Sequence, residues 1–295
     1  PNLIIGGAPK AGTSSLHMWL ADHPQAFGST EKETYYFVDP GTHMHRPDRH
    51  IANGLEGYHS YFPVPSGTAP RVVLESTPSY IYSQTALHHL PDLPSRTRFI
   101  FIVREPSAQI YSLFTYFKNN WTWIPHDLSF AGYLDQIEHG TPTFGGNELA
   151  VNALGYAAYV DYLRRWRDRV GTERMQVWLF DDLVRDQKAF VQRAATFAGL
   201  DPAFYESYAF PRDNETYAVR SPLLQKLNVA VRAALPRGAA YRALRAVYRS
   251  LNTRKPAPAT LDDKALLAGL ARRYAEANAQ LAAEFGLDLS AWQSR

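Results

Sequence analysis

Residues 4–16, with the sequence IIGGAPKAGTSSL, place an apolar strand directly before a glycine-rich turn and the start of an amphipathic helix. The backbone N–H groups of such a turn and of the first helical residues point into one concave space. The helix dipole and the hydroxyls of Thr13, Ser14 and Ser15 favour a phosphate or sulfate there, and Lys10 adds a positive charge. The segment therefore predicts an anion-binding loop after a buried strand. A Gly-Pro turn followed by an ordinary threonine N-cap is the simpler interpretation.

The position of the lysine narrows the kind of anion. A nucleoside-triphosphate loop has the pattern G-x-x-x-x-G-K-[ST], in which the lysine directly follows the last glycine. Here Thr13 follows Gly12, and Lys10 comes two residues before that glycine. The ammonium group would therefore reach a different part of the bound anion, and the loop as written does not predict an ATPase.

Short apolar runs alternate with helical patterns along the chain. This alternation predicts an α/β fold with a P-loop-like parallel sheet flanked by helices. The predicted strands are residues 3–5, 72–74, 98–103 and 176–180, and the predicted helices include 13–22, 155–170 and 261–285. Thr260 and Asp263 could form a capping box before the last helix, and residues 41–70 are predicted to form a long loop.

The length of 295 residues and the hydrophobic content of 45% are sufficient for a large core. We expect one domain over residues 1–295, with a core of about 2–225 and a helical C-terminal elaboration of about 222–295. No apolar run approaches the ~18 residues that a membrane span needs. The sequence leaves the oligomeric state open, and a homo-oligomer is among the alternatives.

Charge and cysteine content exclude several classes of function. The 31 basic and 28 acidic residues nearly balance, so the composition gives no reason to expect a nucleic-acid partner. Residues 216–261 nevertheless carry nine basic and no acidic side chains, consistent with a solvated helical face, an anionic substrate site or a membrane-facing surface. The absence of cysteine excludes disulfides and a cysteine nucleophile, and it is compatible with the cytoplasmic location that we expect.

A second anion-binding signal follows the predicted strand over residues 98–103. The strand delivers Arg104 to the carboxyl edge of the sheet, where open α/β proteins bind ligands. Ser112 comes eight residues later in a helix begun by Pro106, so the two side chains can converge on one phosphate. A P-loop kinase usually has a metal-organising aspartate at the place of Arg104, and a cation there would repel Mg²⁺. The simpler interpretation is a strand-end arginine paired with Glu105 or another acid.

The segment Lys32-Glu33-Thr-Tyr-Tyr-Phe37 lies between the two anion signals. Together with P-K-A-G-T-S-S and the Arg104–Ser112 pair, it resembles the sulfotransferases of the bacterial and carbohydrate types, which use 3′-phosphoadenosine 5′-phosphosulfate (PAPS). The resemblance covers about residues 2–225. The family often has histidine two residues after the glutamate, whereas this chain has Tyr35.

The resemblance implies a role for each matched residue. Glu33 would be the general base, because a carboxylate can take the proton of an acceptor hydroxyl as the S–O bond forms, with Glu31 as the rival carboxylate. Lys10 would neutralise charge on the bridging oxygen. The donor would be bound by Lys10, Ala11, Gly12, Thr13, Ser14 and Ser15 at the 5′-phosphosulfate and by Arg104, Ser112 and Arg220 at the 3′-phosphate, with Tyr217 stacked on adenine.

Two further segments concern the surroundings of this site. Residues 75–80, ESTPSY, resemble the turn that borders the acceptor pocket in the same family, although a local proline turn is an equal alternative. His43, His45 and His50 occupy one loop, but no matching carboxylate helix accompanies them, so we expect no metal site.

The sequence thus predicts a PAPS-dependent O-sulfotransferase that needs no metal and releases adenosine 3′,5′-bisphosphate. The acceptor would be a hydroxyl of a sugar, a phenol or a lipid-like alcohol. A small-molecule kinase of the P-loop type, or a non-catalytic binder of nucleotides or polyanions, remains as an alternative. The kinase would require Mg²⁺ and ATP, and the binder would have no need of a base such as Glu33.

Overall fold

A computed structural model describes residues 1–65, 67–211, 218–219, 221, 224–225, 228, 248, 252–254 and 259–293 of the chain. Tyr217 and Arg220 lie outside the described residues, as does most of the basic stretch 216–261. The predicted roles of these two residues in nucleotide binding therefore remain predictions, and so does the single-domain organisation.

The core of the protein is a five-stranded sheet in which every pair of neighbouring strands is parallel. The strand order is β2-β3-β1-β4-β5, which confirms the predicted α/β fold. The strands are β1 (Leu3–Gly7), β2 (Ala26–Gly28), β3 (Val72–Glu75), β4 (Arg98–Val103) and β5 (Met175–Leu179). A separate antiparallel pair joins β6 (Ala218–Val219) to β7 (Thr253–Arg254).

Helices connect and extend these strands. The α-helices are α1 (Thr13–Ala21), α2 (Glu56–His59), α3 (Gln84–His89), α4 (Pro106–Tyr116), α5 (Phe130–His139), α6 (Glu148–Val151), α7 (Ala153–Tyr156), α8 (Tyr159–Val170), α9 (Phe180–Arg185), α10 (Gln187–Ala198), α11 (Leu261–Arg273), α12 (Ala275–Phe285) and α13 (Ser290–Gln293). Short 3₁₀ turns cover Ile51–Asn53, Pro78–Tyr82, Leu90–Asp92, Phe144–Gly146, Thr172–Arg174 and Pro202–Glu206, and a π-helical turn covers Phe117–Trp121.

Helices cover both faces of the sheet. Trp166 of α8 packs against Phe99 and Phe101, with ring centroids 5.0 and 5.3 Å apart. Trp178 is paired in register with Ile102, whose side chain points to the opposite face from Phe101, and it contacts Phe190 of α10. The sheet is therefore buried on both faces, which explains why its strands are continuous apolar runs rather than alternating ones.

A second buried cluster lies beyond the sheet and joins α4, α5 and α7 to α11. Tyr274 belongs to this cluster, and its hydroxyl donates a hydrogen bond to the Leu154 carbonyl at 2.6 Å. The predicted helix over 261–285 is interrupted at Tyr274, which separates α11 from α12. The packing of Tyr274 thus overrides a helical pattern that is continuous in the sequence. The predicted capping box of Thr260 and Asp263 is confirmed.

Other predicted elements differ in detail. The helix predicted over 155–170 is divided between α7 and α8, because Ala158 has a non-helical backbone conformation. The predicted loop over 41–70 contains α2 and a 3₁₀ turn, and Phe180 begins α9 rather than ending β5. The sequence analysis missed β2, which has only three residues and ends in glycine.

The fourth strand leads into α4 through a buried carboxylate. Glu105 accepts hydrogen bonds from the backbone N–H groups of Ser107 and Ala108, at 3.0 and 2.7 Å, and from the Ser107 hydroxyl at 2.6 Å. These bonds satisfy amide groups that the first helical turn cannot pair internally. Glu105 therefore fixes the direction in which α4 leaves the sheet.

We predict that Glu105→Ala lowers the free energy of unfolding by about 2 kcal/mol, because three donors, two of them in buried hydrogen bonds, lose their acceptor. Urea denaturation followed by circular dichroism measures this change. Glu173→Ala, at an exposed position, is the matched control and should change stability by less than about 0.5 kcal/mol. Equal stability of the two variants would show that the Glu105 cap does not contribute as argued.

Candidate active site

The strand order brings several predicted site segments to one edge of the sheet. Strand β1 lies between β3 and β4, and all three run in the same direction. The loops after these strands therefore leave from the same edge, beside the segment that follows β2. The position where the chain switches from one side of β1 to the other is the expected ligand site of an open α/β sheet.

The loop after β1 has the geometry of an anion-binding turn. Gly12 precedes α1 with a positive φ of 86°, and a Cβ at this position would lie 2.9 Å from Leu183 Cδ1. Only glycine fits here without strain. Gln109 of α4 fixes the other end of the loop, since its side-chain amide donates to the Pro9 carbonyl at 3.1 Å.

The first turn of α1 presents its backbone N–H groups. Among the described residues, no side chain caps this helix, and its first turn contains no acidic residue. The amide groups and hydroxyls of this turn belong to Thr13, Ser14 and Ser15. Ala11, which precedes the turn, is fully buried. An anion is the natural partner of such a helix start, because it satisfies the amide groups and the helix dipole together.

Lys10 lies at the centre of the loop. Its ammonium nitrogen is 4.0 Å from the centre of the Tyr116 ring, an arrangement that favours a cation. Burial lowers the pKa of Lys10 to about 8, and the positive charges of Arg104 and Lys32 contribute, while Glu33 acts in the opposite direction. These electrostatic interactions show that the predicted donor-binding lysine and the predicted base lie within range of each other.

Arg104 lies directly against the same loop. Its Nη1 donates a hydrogen bond to the Lys10 carbonyl at 3.2 Å, and its guanidinium lies 4.8 Å from the centre of the Phe180 ring. Glu105, the acid next to Arg104 in the sequence, accepts the hydrogen bonds that cap α4. Ser112 is buried on α4, one turn before the Tyr116 that contacts Lys10.

Glu33 has two neighbours that hold its carboxylate. Lys32 donates to Oε1 at 2.7 Å, and the Tyr35 hydroxyl donates to Oε2. Burial alone would raise the pKa of Glu33, but Lys32 and Tyr35 outweigh it and lower the pKa below its usual value. The carboxylate is therefore ionised at neutral pH, and each oxygen keeps a lone pair for a further donor.

A buried carboxylate supports the segment that carries Glu33. Glu75, at the end of β3, accepts hydrogen bonds from Thr34 at 2.9 Å, Thr77 at 2.6 Å and Tyr58 at 2.6 Å. Three hydroxyl donors satisfy the oxygens of this carboxyl group, which has no exposed surface. Residues 75–77 therefore support the segment after β2. Their predicted place beside the acceptor pocket remains a prediction.

His17 connects α1 to the same support. Its Nδ1 lies 2.8 Å from the Ser76 hydroxyl, and the Ser76 backbone N–H donates to the Lys32 carbonyl at 3.0 Å. Burial, followed by the charge of Lys32, lowers the pKa of His17 to about 3, so the imidazole is neutral at physiological pH. The sequence analysis missed His17, although it lies one turn after Thr13 and thus beside the loop.

The structure brings together Lys10, Arg104 and Glu33, together with the start of α1. It also adds Gln109, Tyr116 and Phe180, which no motif singled out, because their contacts with the loop appear only in the folded chain. Within the described ranges, no group of three or more histidine, aspartate or glutamate side chains is arranged to hold a metal ion. None of the helices in the described ranges has the length and apolar character that crossing a bilayer requires.

These features describe an α/β protein with a candidate anion site after its first strand, in which Lys10 and Arg104 stand where an ATPase has other residues. The model of the sulfotransferase family matches residues 1–204. The chain therefore belongs to the sulfotransferase family.

Relatives and solved structures agree with this membership. The chain is 22% identical over 207 residues to bifunctional heparan sulfate N-deacetylase/N-sulfotransferase 2 of Bos taurus, which covers 68% of this chain and 22% of that protein. It is 26% identical over 202 residues to heparan sulfate glucosamine 3-O-sulfotransferase 6 of Mus musculus, covering 68% of this chain and 52% of the relative. The chain thus spans about a fifth to a half of the length of these relatives.

A sulfotransferase from Alicyclobacillus acidocaldarius shares the fold. Its crystal structure superimposes with a TM-score of 0.67 at 20% identity, covering 99% of this chain and 98% of that one. This similarity extends over the whole chain and supports the architecture of the sheet and its helices.

We predict that Tyr35→Phe raises the pKa of Glu33, because the variant loses the hydroxyl that donates to Oε2 while Lys32 remains. Carboxyl ¹³C NMR titration measures the pKa, with the Glu33 signal assigned from its loss in Glu33→Gln. Tyr208→Phe removes a hydroxyl that donates to Asp22 instead, and it should leave the pKa of Glu33 unchanged. A Glu33 pKa that stays the same or falls in Tyr35→Phe would contradict the assigned hydrogen bond.

Proposed function

We propose that this protein is a PAPS-dependent O-sulfotransferase. The observation that carries the proposal is the hydrogen bond from Arg104 to the Lys10 carbonyl, since it holds the guanidinium against the loop that carries Lys10, at one edge of the sheet. A donor with a phosphosulfate at one end and a 3′-phosphate at the other needs two such anion sites within one nucleotide length. The family match supports sulfuryl transfer as the reaction class.

The residues present fit the proposed donor. The amide groups of Gly12 and Thr13, with the hydroxyls of Ser14 and Ser15, would hold the 5′-phosphosulfate at the start of α1, whereas the Ala11 amide donates to the Ala8 carbonyl at 3.3 Å and Ala11 would contribute by its place in the turn. Arg104 and Ser112 would hold the 3′-phosphate, and Arg220 and Tyr217 are proposed to complete the nucleotide site. When bound, PAPS supplies the sulfuryl group that is transferred.

Glu33 is the proposed general base. The pKa of Glu33 in the folded protein is lowered, so the carboxylate is a weak base. Its contribution must therefore come from alignment with the acceptor hydroxyl rather than from high basicity. Lys32 and Tyr35 hold the carboxylate in one orientation and leave lone pairs for the acceptor proton. Lys10 would neutralise the negative charge that develops on the bridging oxygen as the donor bond breaks.

The kinase alternative is less favoured by the same residues. Arg104 occupies the place where a kinase would organise Mg²⁺, and Lys10 does not directly follow the last glycine of the loop. A sulfuryl group carries less negative charge than a phosphoryl group, so lysine and a helix start can suffice without a metal. A non-catalytic binder would have no use for the held carboxylate of Glu33.

The acceptor is proposed to be a hydroxyl compound. The names of the matched relatives include both N- and 3-O-sulfotransferases of heparan sulfate, so family membership alone leaves the acceptor atom open. A carboxylate base suits a hydroxyl, because a neutral hydroxyl must lose its proton as the new S–O bond forms. Sugar, phenol and lipid-like alcohol acceptors each meet this requirement.

We predict that Lys10→Ala and Glu33→Gln each reduce sulfuryl transfer from PAPS at least ~100-fold. Transfer of radiolabelled sulfate to a panel of hydroxyl compounds measures the rate. Adenosine 3′,5′-bisphosphate should still bind to Glu33→Gln with unchanged affinity, because this residue acts on the acceptor.

Two matched variants control for general effects of charge removal. Glu31→Gln alters an exposed carboxylate that lies 3.8 Å from Arg49, and Lys188→Ala alters an exposed lysine on α10. Both should retain near-normal turnover. If Glu31→Gln were the more damaging glutamate variant, Glu31 rather than Glu33 would be the base.

We further predict that the affinity for adenosine 3′,5′-bisphosphate falls as the pH rises above about 8. The pKa of free Lys10 is about 8, and a bound anion raises it, so binding requires an extra proton above that pH. The slope should approach about tenfold per pH unit by proton linkage. Calorimetry between pH 7 and 10 measures it, and Lys10→Ala should remove the slope.

The same titration with ADP plus Mg²⁺ tests the kinase alternative. We expect adenosine 3′,5′-bisphosphate to bind at least ~10-fold more tightly, because a 3′-phosphate adds a charge-assisted contact with Arg104. Tighter binding of ADP plus Mg²⁺ would overturn the proposed donor.

A further inference from the structure

A chain of hydrogen bonds joins α1 to the segment that carries Glu33. His17, in the second turn of α1, has its Nδ1 2.8 Å from the Ser76 hydroxyl oxygen. The Ser76 backbone N–H donates to the Lys32 carbonyl at 3.0 Å, and the Lys32 ammonium donates to Glu33 Oε1 at 2.7 Å. His17 and Ser76 are both buried. The helix of the proposed donor site is therefore linked to the proposed base through two buried side chains and a short stretch of backbone.

Ser76 can make this link because the side chains of its two neighbours point the other way. Side chains alternate along extended backbone, Glu75 ends β3, and Thr77 is also extended. Glu75 accepts a hydrogen bond from the Thr34 hydroxyl at 2.9 Å, and the Thr77 hydroxyl accepts from the Tyr35 backbone N–H at 3.4 Å. The Ser76 side chain contacts α1 instead. These three consecutive residues thus hold the base segment on one side and α1 on the other.

The imidazole of His17 also lies against the end of β2. A Cβ built at Gly28, the last residue of that strand, would lie 3.2 Å from His17 Nε2, so the missing side chain leaves room for the ring. Because burial lowers the pKa of His17 to about 3, the ring is neutral at physiological pH. A neutral imidazole bonds to a hydroxyl in either tautomer, since the hydroxyl can donate or accept. The bond to Ser76 therefore does not depend on which ring nitrogen carries the proton.

Both ends of this chain of hydrogen bonds need a fixed position for the proposed reaction. The turn of α1 that would hold the phosphosulfate lies directly before His17, and Glu33 must meet the acceptor hydroxyl beside it. The strand before Glu33 has only three residues, so it cannot fix the carboxylate by itself. A displacement of about 1 Å between reacting groups can lower a rate by about 100-fold. The separation between α1 and Glu33 is therefore a distance on which the proposed reaction depends.

We propose that His17 is a positioning residue, which sets the separation between the donor-binding turn of α1 and the carboxylate of Glu33 through its bond to Ser76. The inference rests on the proposed function and deepens it by assigning a residue outside the predicted motifs. His17 touches neither substrate in this assignment, because its effect passes through Ser76 to the Lys32 carbonyl. A nucleotide bound at the start of α1 should consequently also stabilise the base segment.

Two substitutions of nearly equal shape test the bond. His17→Asn keeps a polar atom at the position of Nδ1, whereas His17→Leu has a methyl group there. We expect His17→Asn to transfer the sulfuryl group of PAPS within about threefold of the original rate, and His17→Leu to be at least ~10-fold slower. Both should bind adenosine 3′,5′-bisphosphate within about twofold of the original affinity, because the first turn of α1 is unchanged. Radiolabelled transfer to 4-nitrophenol and methyl glucoside measures the rate, and calorimetry measures the affinity.

Hydrogen exchange followed by mass spectrometry is a second readout, which needs no acceptor. In the original protein, adenosine 3′,5′-bisphosphate should slow exchange in residues 30–36 at least ~3-fold, because stabilising α1 also stabilises the segment bound to it. His17→Asn should keep this effect, and His17→Leu should lose it. A histidine that only fills space would give the same response in both variants.

Ser76→Ala removes the other partner of the bond and should slow transfer as His17→Leu does. The double variant should be no more than about twofold slower than His17→Leu alone, because both substitutions remove the same bond. His23→Asn is the matched control: it alters a buried histidine beyond the end of α1 that contacts the Asp201 carbonyl, and it should leave transfer and exchange unchanged. Thermal unfolding verifies that each variant folds, and Ser76→Ala replaces His17→Leu in both readouts if the latter does not.

The outcomes separate this inference from the function on which it rests. If the nucleotide binds but His17→Leu equals the original protein in transfer or in exchange, the inference is wrong and the proposed function stands. The same holds if the effects of His17→Leu and Ser76→Ala multiply in the double variant. If neither acceptor is sulfated, the exchange measurement decides alone. Failure of the nucleotide to bind to the original protein would overturn the proposed function and this inference together.

Discussion

The parallel register of β1 with β3 and β4 is the constraint on which the candidate site depends. Leu3 pairs with both Leu74 and Arg98, so one residue of β1 fixes the level of both neighbouring strands. The anion loop, the buried Glu75 and Arg104 consequently emerge at one edge, although they are separated by up to about a hundred residues in the sequence. A shift of register would move Arg104 along its strand and break its hydrogen bond to the Lys10 carbonyl.

The base segment depends on this sheet less directly. Glu33 follows a strand of only three residues, which cannot fix a side chain by itself. Its position is set instead by buried polar contacts to residues 75–77, which accept from or donate to Thr34, Tyr35 and Lys32. A network with every member satisfied holds one arrangement, because any displacement would leave a buried polar group without a partner. His17 extends this network to α1.

Sequence patterns predicted the features of this protein that depend on neighbouring residues, and they missed the features that depend on contacts between distant residues. The alternation of apolar runs with helical patterns predicted the sheet, and two local patterns, the loop over residues 4–16 and the pair Arg104–Ser112, predicted the candidate anion groups. The short strand β2 and the break at Tyr274 depend on packing against distant residues, so local periodicity could not find them. The pairing of His43 with Glu148 is another such case: it joins positions 105 residues apart, and only the fold reveals that one histidine of the loop is committed to a carboxylate.

The charges of the site are divided between its two sides. Burial contributes most to the lowered pKa of Lys10, and the neighbouring charge of Arg104 lowers it further, a repulsion that a bound anion would relieve. On the other side, Lys32 and Tyr35 hold the carboxylate of Glu33. This division of charge favours an anionic donor beside α1, and it leaves lone pairs of the Glu33 carboxylate to take a proton from the proposed acceptor.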